Sequence, residues 1–227
     1  MEEEEAVVRF DEAMTKLADQ FEFLRGHNGV VLPASPLAVD DVLWPHHPTS
    51  QVAWQAMVSA ADHLDLIKHA TSLAPDKVFL TAPFSVARGA MIASSQALWI
   101  LGSETPEVRQ QRALSIAVEY LSQRIGYQLE QLKVCSPAQK ALSQRQINDL
   151  LIPMKKEALA LTKKGYGYTD TGVIEAATRL RFTDNIENSA VTSNLIWRRL
   201  GGDAHSYLPV RASPKVVGPK GRLLLFA

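Results

Sequence analysis

The residues with the most distinctive chemistry lie near the C-terminal end of the chain, where two arginines precede a histidine. Five residues separate Arg199 from His205, and six separate Arg198 from it. A histidine that titrates near neutral pH can move a proton from a ribose 2′-hydroxyl. An arginine can hold a phosphate through two hydrogen bonds and stabilise its developing charge. This spacing suits RNA cleavage, with His205 as the general base or acid and Arg199 or Arg198 on the phosphate.

The glycine pair between these residues leaves a structural interpretation open. We expect Gly201-Gly202 to interrupt the last helix, so that Asp203 caps a short new helix and His205 is structural. If the helix instead continued, Arg198 and His205 would lie on one face, two turns apart.

Arg88 is the only charged residue between Lys77 and Glu104, in a segment with almost no polar face. A buried guanidinium needs an anion or several carbonyl groups around it. The structural interpretation is an ion pair with Asp62 or Glu119, and the functional one is an anion-binding site that faces a cleft. We expect Arg88 to be mostly buried and bonded to a carboxylate or to backbone carbonyls.

The sequence shows no signature of a common metal or cofactor site. It has no phosphate loop, no dinucleotide-binding fingerprint and no nucleophile elbow. His46-His47 lies between prolines, and His63 and His69 are six residues apart, a spacing that does not bring both to one helix face. No acid-rich ligand set surrounds them, so we predict neither a metal nor a cofactor. We expect His63 to be a partly buried residue with one hydrogen-bond partner.

A turn rich in glycine and tyrosine follows the helix that is predicted to start at Ser136-Pro137. Gly165-Tyr166-Gly167-Tyr168 comes after a helix and not after a strand, which is typical of a helix cap and turn. With Lys163 and Lys164, its tyrosines could also contact a nucleic acid, because stacking and charge together bind single strands.

Helices must position these residues, because helical spacing of apolar residues is common along the chain and strand-like alternation is nearly absent. The pattern predicts an all-α bundle of six or seven helices with an irregular C-terminal tail. We expect one helical domain over 1–207, with a long irregular segment at 26–48, and a tail at 208–227. A nearly all-apolar third helix, which contains Arg88, and a long amphipathic fourth helix, which follows Thr105, offer more apolar surface than a monomer can hide, so we predict a homodimer. The expected helix caps are Thr49 or Ser50, Thr105 and Ser136.

The composition is that of an ordinary globular protein with no net charge. The most apolar stretch, Leu80 to Gly102, contains Arg88, Pro83 and several serines, so we predict a buried core helix and no membrane span. A single cysteine, Cys135, excludes an intrachain disulfide and fits a reducing compartment. The N-terminal run of glutamates differs from the basic start of a signal peptide, and we expect a cytoplasmic protein.

Several short motifs resemble bacterial HEPN-like helical proteins, including abortive-infection types and related uncharacterised families. They are Ala61-Asp62-His63-Leu64, Phe84-Ser85-Val86-Ala87-Arg88, Ala97-Leu98-Trp99-Ile100-Leu101, Arg109 with Arg112, and Leu200-Gly201-Gly202-Asp203-Ala204-His205-Ser206. The resemblance implies a helical bundle, a homodimer, and a role in stress or phage defence. It also implies an arginine-to-histidine motif near the last helix, which ribonuclease members use across the dimer interface without metal.

The chain departs from that family at two positions. Ribonuclease members usually carry a polar residue directly after the motif arginine, whereas Leu200 follows Arg199; if Arg198 is the motif residue, Arg199 fills that place. Related families tend to have a glutamate one turn after the central arginine, here Arg88, where this chain has Ile92.

Two alternatives stay open: a non-catalytic bundle that binds a protein partner in a helical groove, and a bundle that binds a small ligand near Arg88.

Overall fold

The computed structural model describes residues 2–27, 29–73, 82–182 and 186–204, and the structural statements below concern these ranges. They are mostly helical, with no β-strand among the described residues, which confirms the predicted all-α class. The helices are α1 (Glu2–Gly26), α2 (Pro36–Asp40), α3 (Thr49–Leu73), α4 (Ala82–Leu101), α5 (Pro106–Gln131), α6 (Pro137–Gln146), α7 (Ile152–Leu161), α8 (Asp170–Arg181) and α9 (Ile186–Ala204). A π-helical turn, Ile147–Leu151, joins α6 to α7.

The short helix α2 lies within the segment that the sequence predicts to be irregular, 26–48. Its start has a local cause: the side-chain oxygen of Ser35 accepts a hydrogen bond from the Ala38 amide, and Pro36 occupies the first helical position. Asp40 ends the helix and is fully buried. The expectation of a wholly irregular segment is therefore corrected at Pro36–Asp40.

Capping residues begin the longer helices largely as predicted. Thr105 caps α5 and Ser136 caps α6, each by accepting a hydrogen bond from the backbone amide three residues on. At the start of α3, the carboxylate of Asp41 accepts hydrogen bonds from the amide and the hydroxyl of Ser50, at 2.8 and 2.6 Å. An acid nine residues upstream therefore binds the first turn of α3.

Pro153 predicts a kink, and the π-helical turn lies directly before it. Proline lacks an amide donor, and its ring clashes with the carbonyl four residues back in a regular helix. In the turn, the amide of Ile152 donates to the oxygen of Ile147, five residues back. This wider turn is one of the recognised ways in which a helix absorbs such a disturbance.

The chain folds as two compact units whose segments alternate along the sequence. The first comprises Met1–Val30, Gln55–Gln96 and Thr171–Ala227, and the second comprises Val31–Trp54 and Ala97–Asp170. Boundaries fall inside α3 and α4 and after the first residue of α8, so these helices contribute residues to both units. The single domain over 1–207 stays a prediction, and the tail at 208–227 lies outside the described residues.

The two units have cores of different composition. Seven of the buried residues of the first unit are alanines, which allow helices to approach closely: Ala56, Ala60, Ala61, Ala90, Ala93, Ala177 and Ala190. Larger side chains dominate a core cluster of the second unit: Trp44, Leu114, Ala117, Leu121, Leu151 and Ala158.

The apolar stretch between Leu80 and Gly102 largely forms α4, and its Ala90, Ala93 and Ile100 are buried, as predicted for a core helix. None of the helices within the described ranges has the length and apolar character needed to cross a membrane.

Candidate functional site

Helix α9 runs through the glycine pair without a break and ends at Ala204. The expected interruption at Gly201-Gly202 is therefore wrong. Trp197, Leu200 and Gly201 are buried, and this packing outweighs the low intrinsic helix propensity of glycine.

Arg198 and Arg199, the two arginines of the predicted site, lie on the exposed side of α9. His205, the third member, directly follows Ala204 and lies outside the described residues. The helical backbone is continuous from Arg198 to the residue before His205.

Arg88 of α4 lies over the ring of Trp197, with its Cζ atom 3.9 Å from the ring centroid. Tryptophan is the aromatic residue that attracts cations most strongly. Arg88 is half-buried, and within the described residues no carboxylate or carbonyl oxygen accepts a hydrogen bond from it. The prediction of a mostly buried Arg88 bonded to such an oxygen is therefore wrong, because an aromatic face contacts the guanidinium instead.

Gly201 leaves the space that Arg88 occupies. A Cβ atom at position 201 would clash with Nη1 of Arg88. Trp197 and Gly201 are four residues apart and share one face of α9, so the guanidinium lies along that face. We call Arg88, Trp197, Arg198, Arg199 and Gly201 the α9 site, in which Arg88 lies on the Trp197–Gly201 face and Arg198 and Arg199 lie on the exposed side of the helix.

His63 of α3 packs against α4 at Gly89, the residue that follows Arg88 in the chain. Its ring occupies the space where a Cβ atom of Gly89 would lie. Its Nδ1 atom is 2.6 Å from the carbonyl oxygen of Ser59, and since a carbonyl only accepts, Nδ1 donates. In the neutral ring, Nε2 is then the acceptor. The half-buried His63 with a backbone partner matches the structural role predicted for it.

An exposed ionic contact between Arg179 and Glu187 joins α8 to the first turn of α9. The guanidinium of Arg179 donates to both carboxylate oxygens of Glu187, at 2.6 and 3.2 Å, and to Glu175 at 3.0 Å. These hydrogen bonds raise the pKa of Arg179 and lower the pKa of Glu187. All three groups lie at the surface, so the contacts add little to the stability of the fold.

The buried, paired arginine of this protein is Arg109, which belongs to the second unit. Its Nε and Nη2 atoms donate to the two carboxylate oxygens of Asp40, at 2.6 and 3.2 Å. Its Nη1 atom donates to the carbonyl of Ser103 at 3.1 Å. Asp40 is fully buried and the Arg109 side chain is 10% exposed. Arg109 therefore has the burial and the carboxylate partner that the sequence predicted for Arg88.

A local signal for Arg109 exists in the sequence. Arg109 precedes Ala113, Ala117 and Leu121 at steps of four residues, and all three are buried. An arginine on the apolar stripe of an amphipathic helix indicates a buried cation that needs a partner.

The turn between α7 and α8 is fastened to α5 by polar side chains. The Gln111 side chain accepts a hydrogen bond from the Lys163 amide and donates to the carbonyl of Leu161, at 2.7 and 3.0 Å. The hydroxyl of Ser115 donates to the carbonyl of Tyr166 at 2.9 Å. Lys163 pairs with Glu107, which raises the pKa of the lysine. These contacts favour the cap-and-turn interpretation of the segment over a nucleic-acid contact.

A second group of aromatic and basic side chains surrounds His47 in the second unit. The His47 ring lies 5.4 Å from the Trp44 ring and 5.8 Å from the Tyr120 ring, measured between centroids. Burial lowers the pKa of His47, and the neighbouring His46 and Arg124 lower it further. His46 lies 3.4 Å from Glu157, which can pair with it when it is protonated.

No group of three histidine, cysteine, aspartate or glutamate side chains in the described part of the chain is placed to hold a metal ion. Comparison of the whole chain with protein-family models, with curated proteins and with solved structures finds no match.

Proposed function

We propose that this protein is a HEPN-like, metal-independent ribonuclease of stress or phage defence, in which the α9 site binds RNA phosphate and His205 transfers the proton. The observation that carries the proposal is the position of Arg88. Its guanidinium lies on Trp197 without a carboxylate partner among the described residues, and α9 carries two further exposed arginines. A guanidinium held on an aromatic face keeps its edge N–H groups for a phosphate.

The chemistry that this arrangement supports is internal transesterification of RNA. His205 takes the proton of the ribose 2′-hydroxyl, and the 2′-oxygen forms a bond to phosphorus. The bond from phosphorus to the 5′-oxygen breaks, and that oxygen receives the proton from the protonated His205. Arg199 or Arg198 stabilises the charge that develops on the phosphate oxygens, and Arg88 is a supporting anion contact. The products carry a 2′,3′-cyclic phosphate and a 5′-hydroxyl.

Gly201→Ala tests the part that the geometry supports most directly. The added methyl displaces Nη1 of Arg88, the flexible end of a long side chain, so α9 keeps its fold. Because alanine favours helix, thermal stability should stay equal or rise by up to about 1 kcal/mol. Loss of a charged hydrogen bond to phosphate should weaken RNA binding about tenfold or more. Fluorescence anisotropy with a non-cleavable 2′-O-methyl oligouridine measures this.

Gly126→Ala is the matched control, since a Cβ at that glycine, in the C-terminal third of α5, meets nothing within 4 Å. It should stabilise the helix without changing RNA affinity. Equal affinity of wild type and Gly201→Ala would remove Arg88 from the site. Wild-type protein that neither binds nor cleaves RNA between pH 6 and 8 would overturn the ribonuclease proposal.

A specific surface also favours the alternative of a protein-interaction function. Val191, Leu195 and Ile196 of α9 are 57%, 61% and 39% exposed, so this helix presents apolar side chains as well as arginines to solvent. Exposed apolar patches of this kind are typical of protein interfaces. A second copy of the chain that packs here would also bring two α9 sites together.

Leu195→Glu tests association through α9. We expect wild-type protein to be a dimer in light scattering at micromolar concentration and the variant to be a monomer, because a buried unpaired carboxylate opposes the interface. Leu142→Glu, at a 67% exposed leucine of α6, is the control and should stay dimeric. A monomeric wild type would contradict the dimer.

A further inference from the structure

The outward side of α5 carries two tyrosines and an arginine at helical spacing. Tyr120, Arg124 and Tyr127 follow one another at steps of four and three residues, so they share one face. Tyr120 is 47% exposed and Tyr127 is 64% exposed, although large aromatic side chains are usually well buried. The two tyrosines are not needed to pack α5 into the core, because Leu114, Ala117 and Leu121 do so.

Neighbouring polar groups hold both rings in place. The Arg124 side chain donates a hydrogen bond to the hydroxyl of Tyr120 at 2.9 Å. Gln131 donates to the hydroxyl of Tyr127 at 2.9 Å. The His47 ring meets the Tyr120 ring edge-on, at an interplanar angle of 80°. The rings are thereby ordered at the surface before any ligand arrives, which lowers the entropy cost of binding.

Arg124 has no ion-pair partner among the described residues, and acidic side chains of the same region are engaged elsewhere. Glu119 accepts a hydrogen bond from Gln123 at 2.8 Å. Glu130 pairs with Lys133 at 2.5 Å. The positive charge of Arg124 therefore adds to the aromatic face without a compensating carboxylate.

We infer that Tyr120, Arg124 and Tyr127, here called the α5 face, form a second binding surface for single-stranded nucleic acid. Bases stack on the two tyrosine rings, and Arg124 contacts the phosphate between them. Aromatic rings interleaved with cations bind single strands with little sequence preference, because every base has a π-face. The inference rests on the proposed RNA substrate, but it uses residues that are absent from the α9 site.

The test measures affinity for 2′-O-methyl oligouridine by fluorescence anisotropy, which separates binding from cleavage. Each Tyr→Ala change should weaken binding about fivefold or more, and the Tyr120→Ala/Tyr127→Ala double variant about thirtyfold or more. The Tyr120→Phe/Tyr127→Phe control keeps both rings and should bind within about twofold of wild type. Arg124→Gln should reduce the slope of log affinity against log salt concentration by about 0.7. Thermal melts check that every variant is folded.

Three outcomes separate this inference from the proposed ribonuclease. Weaker binding by the double Ala variant with full binding by the Phe control supports the α5 face, whether or not wild type cleaves RNA. Unchanged affinity of the double Ala variant overturns the α5 face and leaves the α9 site standing. A wild type that does not bind the oligonucleotide at all overturns both.

Discussion

Wild-type protein is expected to cleave single-stranded RNA in the presence of a chelator, and His205→Ala is expected to cleave it about two to four orders of magnitude more slowly. The reason is that no other histidine follows an arginine at the same spacing, so no second residue of this kind can remove the 2′-hydroxyl proton. Arg198→Ala and Arg199→Ala should each cost less than the histidine variant, because either arginine can partly hold the phosphate alone. Cleavage of a labelled oligoribonucleotide under single-turnover conditions measures all three.

His69→Ala is the control for this experiment, because His69 is exposed and bonds only its own helix, through Asp65. It should cleave like wild type. Full activity of His205→Ala would show that the proton is transferred elsewhere. His63→Ala would then be the next variant to test, because the His63 ring packs against Gly89, the residue that follows Arg88 in α4. Loss of wild-type activity on addition of chelator would contradict the metal-independent mechanism.

The second large effect concerns stability. Asp40→Asn should lower the free energy of unfolding by about 3–5 kcal/mol, because it leaves the Arg109 guanidinium buried without its counter-charge. The asparagine side chain has nearly the same shape, so the loss reports charge and not volume. Chemical denaturation followed by circular dichroism measures the change.

Two controls make the stability experiment specific. Arg179→Gln removes a well-formed but exposed contact to Glu187 and should cost far less stability than Asp40→Asn. The Asp40→Leu/Arg109→Met double variant removes both charges and should recover much of the stability lost by Asp40→Asn. A cost below 1 kcal/mol for Asp40→Asn would contradict the buried-pair account.

Local signals predicted most of the helices correctly. Thr105 and Ser136 act on amides three residues away, and the apolar stripe of α5 repeats within a single helix. Such short-range features are readable in the sequence because the residues that cause them are neighbours in the chain. The class and the element order follow from them.

Contacts between distant segments account for what the sequence analysis missed. Arg88 and Arg109 both lie in predicted helices, but only packing decides that one meets Trp197 and the other meets Asp40. The unbroken path of α9 through Gly201-Gly202 has the same origin, since a neighbouring side chain occupies the space beside Gly201. Helix propensity alone favours a break there.

The Asp40–Arg109 contact also has a consequence for synthesis of the chain. The two residues are 69 positions apart, and α3 and α4 lie between them. At typical translation rates, roughly 3 to 14 seconds pass between incorporation of the aspartate and of the arginine. During that interval the nascent chain carries an Asp40 whose carboxylate must remain hydrated. The α2 segment can therefore be buried only after α5 has left the ribosome.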